Sequence, residues 1–532
     1  MPGLLHELVL TSAARAPDAV ALRARGRTVS YGALAESMTA FASGLLNLGI
    51  ARADRVAVLL PKQFETVVAM WGTAQAGAVF VPVNPLLKPE QIAYILRDCN
   101  VRMLVTTAAR LEELRTALRD CPDLRRVIVV GDKLAPAHTE GDVEQLSWAS
   151  LLAAGAAPLA GHRVIDGDMV SILYTSGSTG KPKGVVLSHR NMVAGAISVS
   201  TYLENVPEDR LLAVLPFSFD YGFSQLSTAF HVGASVILID YLLPRDVIVA
   251  AEREAATGLA GVPPLWIQLA DLDWPQAVVE RLRYITNSGG AMPGATLTKL
   301  RARLPRTRPF LMYGLTEAFR STFLPPEQAD VRPDSIGKAI PNAEILVLRP
   351  DGSQCDADEP GELVHRGVHV ALGYWNDPAK TAERFKPIPA RASGLVQPEI
   401  AVWSGDTVRR DAEGYLYFVG RRDEMIKTSG YRISPTEIEE VLHGTGLVQD
   451  VVALGAPHAT LGHAIVIVAS PRIAGATDSD ALLAECRRQL PNYMQPALIE
   501  WREQLPRNAN GKFDRAALAA HYRDRFSDTP RT

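Results

Sequence analysis

Residues Tyr174 to Ser188 read Y-T-S-G-S-T-G-K-P-K-G-V-V-L-S, directly after the apolar run Met169-Val-Ser-Ile-Leu. Three glycines (Gly177, Gly180, Gly184) and four hydroxyl residues (Thr175, Ser176, Ser178, Thr179) stand beside Lys181 and Lys183. Such a segment is too small and polar to build core, and its glycines open positive φ, so successive backbone N–H groups can converge on an anion. It reads as a phosphate loop at the end of a strand. It is not the Walker loop, which needs a glycine where Thr175 stands and a hydroxyl where Pro182 stands. Taken alone, the run has a plain alternative, a glycine-serine surface turn.

The surroundings of the loop favour an α/β protein. On its N-terminal side, apolar runs at Val56-Ala-Val-Leu-Leu, Val79-Phe-Val-Pro-Val and Met103-Leu-Val-Thr-Thr alternate with helical spacing at Phe64 to Gly77 and Gln91 to Cys99. This alternation predicts parallel sheet covered by helices. Leu134 to Asp168, rich in Ala, Gly, Pro and acidic groups, reads as surface connection. A second α/β stretch follows the loop, from Leu211 to Leu304, with strands ending at Asn287-Ser-Gly-Gly-Ala291 and then at Tyr313-Gly-Leu-Thr-Glu317. Strand ends of this kind are where open sheets bind ligands. From about Ser335 to Val419 the pattern turns β-rich, and Ser434-Pro-Thr-Glu opens a helix in a compact tail.

With 532 residues, 47% of them hydrophobic, the chain exceeds what one core holds. A formal charge of −3, with both signs interspersed, raises no field toward nucleic acid or an anionic membrane. The four cysteines (Cys99, Cys121, Cys355, Cys486) have neither metal-ligand spacing nor the pattern of a disulfide framework, which fits a reducing compartment. No stretch approaches the roughly 18 apolar residues of a membrane span, and the N-terminus lacks the features of a signal peptide. The expectation is a cytoplasmic protein with small-molecule partners.

The segment T-S-G-S-T-G-K-P-K-G resembles the nucleotide loop of the AMP-forming adenylating superfamily, which includes acyl-CoA synthetases, amino-acid adenylation domains and luciferases, and the resemblance runs from about Leu4 to Arg515. It implies an α/β fold in which a large N-terminal domain (1–419) contains two parallel-sheet subdomains plus a β-rich subdomain. A hinge (420–423) then leads to a small mobile C-terminal α+β domain (424–532). It also implies ATP and Mg²⁺ as cofactors, with coenzyme A or a phosphopantetheine carrier as acceptor. The implied site follows the motifs. Thr175, Ser176, Gly177, Ser178, Thr179, Gly180 and Lys183 would hold phosphates, and Ser288, Gly289 and Gly290 would back the adenine. Tyr313 and Gly314 would face the nucleotide, Thr316 would contact the α-phosphate, and Glu317 would bind Mg²⁺ as a hard oxygen ligand. Asp406 would accept the ribose diol with Arg421 beside it, Lys512 would bridge substrate carboxylate and α-phosphate, and Asp423 would be the pivot. Each residue alone has an ordinary reading as a turn or a solvated charge.

The expected acyl pocket is Phe219, Asp220, Ser224 and Arg320. Many acyl-CoA synthetases resembling this chain have histidine where Phe219 falls, whereas amino-acid adenylation domains have Phe-Asp, the aspartate pairing with the substrate ammonium. Two readings of Asp220 stay open, an ammonium partner or the N-cap of a helix beginning near Gly222. Arg320 likewise either binds an acidic group on the substrate or pairs with Asp220. L-P-F-S-F-D-Y-G-F-S-Q-L and Y-G-L-T-E-A-F-R-S-T-F-L-P-P-E further resemble the acyl-CoA ligases associated with exosortase A systems. The expected function is therefore an acid–thiol ligase acting on a small-molecule carboxylic acid, with amino acids among the alternatives and a discrete acyl carrier protein as a candidate partner. A nucleotide-binding interaction protein without catalysis is the alternative of another class.

Overall fold

The computed structural model describes residues 2–131, 143–175, 182–388, 398–421, 425–428, 431–458, 461–508 and 511–526. Among these, the first sheet holds eight strands, whose parallel members include Arg55–Val58, Val79–Pro82, Val101–Thr107 and Arg126–Val130. The strand Met169–Thr175 joins its parallel side and then pairs antiparallel with Lys183–Ser188, Thr175 opposite Lys183. These two strands flank the glycine-serine segment, whose residues 176–181 lie outside the described ones.

A second sheet of fourteen described strands carries parallel Arg210–Ala213, Gly258–Gly261, Tyr284–Asn287 and Arg308–Tyr313 in adjacent positions. Helices Tyr31–Asn47, Phe64–Ala76, His189–Tyr202 and Asp220–Val232 share one core with both sheets. Trp71 stacks on Phe223 inside that core at 4.9 Å between ring centroids, a contact that holds the layers together by area and by ring geometry. Helix Phe64–Ala76 is apolar nearly all round because it lies between sheets, and it stops at Gly77, whose φ of 82° is the left-handed cap.

Two stretches differ from their expected description. Within the expected surface connection, Glu144–Ser147 adds a parallel strand to Arg126–Val130, and helix Trp148–Ala154 follows. Ser147 caps that helix by accepting from Ser150 N–H, and Leu151 is fully buried, so a short apolar anchor outweighs the Ala/Gly-rich composition. The β-rich stretch forms as expected, but it runs on from the second sheet without a break. Thr322–Leu324 pairs antiparallel with Arg308–Tyr313, and Ser335–Ala339 carries the pairing on to Leu416–Arg421.

Asp209 fixes the parallel strands at their N-terminal ends. It immediately precedes Arg210–Ala213, and its carboxylate, 1% exposed, accepts from Thr257 Oγ1 at 2.7 Å and Arg283 Nη1 at 2.6 Å. Those two residues immediately precede Gly258–Gly261 and Tyr284–Asn287. Asn205 Nδ2 and the Val206 N–H, both at 3.0 Å, complete the shell. Burial alone would raise this carboxyl, but the hydrogen bonds from Arg283, Asn205 and Thr257 hold it below the usual range. Its contribution to stability is thus full above the unfolded-state value of about pH 4 and is lost as pH falls through the lower folded value. Asp209→Ala, which removes the acceptor shared by Thr257, Asn205 and Arg283 but leaves Arg283 partly exposed and still bonded to Glu204 O, is expected to cost about 2 kcal/mol at neutral pH, read as a lower urea midpoint, with the difference from wild type shrinking in acid.

Beyond residue 425 the chain builds its own sheet of five described strands around the long hairpin Val448–His458 and Gly462–Pro471, flanked by helices Pro435–Gly444, Ser479–Gln489 and Arg515–His521. Ser434 occupies the N-cap position as its sequence predicts, although its side chain makes no cap hydrogen bond. Arg472 of this unit forms an ion pair with Asp271 of the larger one.

Candidate functional site

The C-terminal ends of the four parallel strands open on one edge. Tyr284–Asn287 runs into Ser288, which is buried, and Gly289, whose φ of 82° suits glycine. Asn287 Nδ2 holds the turn by donating to Gly290 O at 2.9 Å. Arg308–Tyr313 runs through Gly314 into a single 3₁₀ turn, Thr316–Ala318. Gly314 admits the returning chain, since a Cβ there would stand 3.2 Å from Arg320 Cα.

The side chains at these ends meet residues from distant parts of the sequence. Tyr313 Oη donates to Asp406 Oδ2 at 2.5 Å, and Asp406 lies opposite Arg421 in the sheet register. The side chain of Arg421 lies outside the described residues, as does Asp423. Glu317 Oε1 accepts from Tyr374 Oη at 2.6 Å, and the Lys183 ammonium lies 5.4 Å from the centre of the Tyr374 ring. Burial, reinforced by the Glu317 charge, pushes the Tyr374 phenol up and keeps it a donor. Burial and the charges of Lys380 and Arg384 push the Lys183 ammonium down, while Glu317 opposes them. Several cations around one anchored carboxylate make a fit setting for a metal-bound polyphosphate. Of the phosphate-loop residues, Thr175 and Lys183 stand at its two feet, while Ser176, Gly177, Ser178, Thr179 and Gly180 lie outside the described residues.

Asp220 is the first residue of its helix, and Phe219 holds the N-cap position with no side-chain cap bond. The capping reading of Asp220 is therefore set aside: the backbone enters the helix two residues before Gly222, which leaves the aspartate side chain inside the first turn. Its carboxylate is 4% exposed, accepts from Thr316 Oγ1 at 3.1 Å, and has Arg320 Nη1 at 4.0 Å. Burial pushes this carboxyl above its usual range, and the charges of Arg320 and Lys512 pull it back. Arg320 donates to Ser224 Oγ at 3.1 Å. At 4.0 Å the two charges attract without sharing a hydrogen bond.

Lys512 enters the same cleft from the C-terminal unit. Its ammonium is 5.8 Å from the centre of the Phe219 ring, and its Cε stands 3.6 Å from where a Cβ on Gly289 would be. The supporting loop is closed by Asn508, which accepts from the Lys512 N–H through its side chain at 3.1 Å and donates its own N–H to Lys512 O at 2.8 Å. An exposed lysine on a short, self-braced loop delivers a point charge without depending on core packing.

Sequence reasoning passed over Tyr374, Lys380 and Arg384. The first sits in Gly373-Tyr-Trp-Asn-Asp-Pro, whose Gly, Asn, Asp and Pro mark a loop and nothing more. The other two lie on helix Pro378–Arg384, where spaced charges look like an ordinary wet face. Thr381 accepts from Tyr374 N–H at 3.0 Å and so ties that helix to the tyrosine.

Residues 9–375 match the AMP-binding enzyme family, and residues 437–512 match the AMP-binding enzyme C-terminal domain. The chain is 32% identical over 532 residues to the L-proline–[L-prolyl-carrier protein] ligase of Pseudomonas fluorescens, covering 97% of this chain and 99% of that protein. It is 30% identical over 519 residues to a linear gramicidin synthase polypeptide of Brevibacillus parabrevis, covering 97% of this chain and only 10% of that much longer protein. The fold matches the crystal structure of the anthranilate CoA ligase AuaEII in complex with anthranoyl-AMP, with a TM-score of 0.86, 24% identity and 98% of each chain covered. With a family match across most of its length and a second across its C-terminal unit, the chain belongs to the AMP-binding enzyme family, the family of AMP-forming acid–thiol ligases.

Proposed function

We propose that this protein activates a small-molecule carboxylic acid with ATP and Mg²⁺ and passes the acyl group to a thiol, either coenzyme A or the phosphopantetheine of a separate carrier protein. The observation that carries the reading is the Lys512 ammonium reaching the cleft that also holds Phe219, Gly289, Thr316, Glu317 and Asp220. In the first step a carboxylate oxygen attacks the α-phosphorus, the bond to pyrophosphate breaks, and an acyl adenylate forms. Two anions must approach, so positive charge at the carboxylate and at the leaving group lowers the barrier. Lys512 supplies it at the carboxylate, and Lys183 with its cationic neighbours supplies it at the leaving phosphates. Thr316 orients the α-phosphate, and Glu317 would hold the metal, which would supply positive charge to the triphosphate. Ser288, Gly289, Gly290, Tyr313 and Gly314 bind the base, and Asp406 with Arg421 takes the ribose.

In the second step the thiol sulfur attacks the acyl carbon, a C–S bond forms, and AMP leaves. On this reading residues 1–419 and 424–532 are the two working parts, and the pivot at 420–423, with Asp423, withdraws Lys512 for the thiol. The protein acts in the cytoplasm, consistent with four buried, unpaired cysteines and with the lack, among the described residues, of any helix long and apolar enough to cross a membrane. The stretches around Phe219 and Glu317 favour the exosortase A-associated branch.

A second reading, an amino acid as the acid, is favoured by Asp220. A carboxylate this buried whose one nearby guanidinium stops at 4.0 Å is stabilised by an ammonium brought in with the substrate. The relative that acts on L-proline and its carrier protein supports it. ATP–pyrophosphate exchange over a panel of plain and amino acids tests both readings. Exchange with at least one short acid is expected, and none with any acid, at saturating ATP, would remove the ligase reading and leave a nucleotide-binding protein.

A further inference from the structure

Arg320 is 1% exposed, and its side chain has few partners for so buried a charge. A guanidinium offers five N–H donors. Here Nη2 donates to Ser224, Nη1 lies 4.0 Å from Asp220, and the Tyr221 ring centre stands 4.8 Å from the guanidinium carbon. Buried Nε has no acceptor among the described residues. Thr228 Oγ1, on the same helix as Ser224, is buried in the same condition. Arg320 and Thr228 both line a cavity of about 20 Å³ between that helix and the strands Gly258–Gly261 and Tyr284–Asn287. So small a space beside the guanidinium suits a polar group and excludes a long hydrocarbon tail.

The backbone is built to keep Arg320 in this place. Phe319 has φ 55° and ψ −46°, and the Arg320 N–H donates to Ala318 O, which together make a tight γ-type turn that a bulky residue adopts only under strain. The Phe319 ring, fully buried, lies over Gly195 so closely that a Cβ there would be 2.3 Å from it. Such strain persists where packing over-determines it, and here it turns the chain straight from the Thr316–Glu317 motif to the arginine.

We infer that Arg320 is the receptor for a second carboxylate on the acid, so that the protein activates short acids with an anionic far end; the inference rests on the ligase reading above. A carboxylate at Nε adds the charge and the acceptor that the guanidinium lacks, in the planar geometry arginine favours. Asp220, on the Nη1 side, stays available for an amino group, which makes an amino dicarboxylate compatible with both residues.

Exchange rates measured with succinate against butyrate, and with aspartate against 2-aminobutyrate, test the inference. Wild type is expected to prefer the carboxylated member of at least one pair by about a hundredfold or more in kcat/KM, because a polar pocket rejects the analogue that leaves it unpaired. Arg320→Met should lower kcat/KM for that acid by about a hundredfold and erase the preference, and Arg320→Lys should restore part of it. Thr228→Val, a milder change at the same cavity, should reduce the same preference in the same direction. Equal rates within both pairs in wild type, or loss of both members in parallel on Arg320→Met with Thr228→Val silent, would overturn the inference and leave the ligase standing. Silence with every acid would remove the ligase reading itself and the inference with it.

Discussion

Lys512→Ala is expected to lower ATP–pyrophosphate exchange by about a thousandfold while leaving thioester formation from preformed acyl adenylate within severalfold of wild type. The ammonium stands in the cleft 5.8 Å from the Phe219 ring, where the carboxylate must approach the α-phosphate. Charge there is worth most as the two anions close, and it has no task once the anhydride exists. The side chain is exposed and its loop is braced through the backbone and Asn508, so truncation should leave folding within about 0.5 kcal/mol of wild type. Separate assays of the two half-reactions decide the matter. Equal loss in both would mean that Lys512 also serves the thiol step and that the two-orientation mechanism is wrong.

Gly195→Ala is expected to reduce exchange by about a hundredfold, although Gly195 is assigned no contact with nucleotide or acid. Its new methyl would fall 2.3 and 2.4 Å from two carbons of the Phe319 ring, which is fully buried and has nowhere to go without moving its turn. Overpacking of this kind costs about 1–3 kcal/mol. Displacing the ring also displaces Arg320 on one side and Thr316 with Glu317 on the other, and misplacement by about 1 Å is enough for a loss of that size. Thermal unfolding and kcat/KM, measured together, check both parts. A lowered melting temperature with undiminished exchange would show that the strained turn does not govern the site.

Much of this arrangement was legible in the sequence, for identifiable reasons. The strands at Val56, Val79, Met103 and Leu211 announce themselves because buried parallel strands are continuous apolar runs. The glycine-serine run at Thr175 stands out because its residue types have no use in a core, whereas Tyr313, Asp406 and Lys512 are singled out only by the family resemblance, since each alone reads as a turn or a solvated charge. Their pairing was less visible: Tyr313 with Asp406 and Glu317 with Tyr374 are hydrogen bonds across 93 and 57 residues of chain, which no local period encodes. The position of Asp220 turned on the backbone at Phe219, φ −112° and ψ 133°, which decides where the helix starts and which neighbouring aromatic residues do not reveal. Helix Trp148–Ala154 was hidden by composition, since one buried leucine and a serine cap carry it. Lys380 and Arg384 were concealed for the opposite reason, because charges on a short helix are ordinary until a fold sets them beside another cation.

The carboxylate clasp at Asp209 has a consequence for changing what the protein accepts. Three neighbouring strands are aligned at the rim farthest from the chemistry, by a residue that touches none of the reacting groups. Segments 214–218 and 262–264, which leave the opposite rim and lie outside the adenine turn at 288–290, can therefore be varied without realigning the scaffold beneath them. Libraries confined to these segments, with Asp209, Thr257 and Arg283 held constant, are the economical route to variants that take other acids.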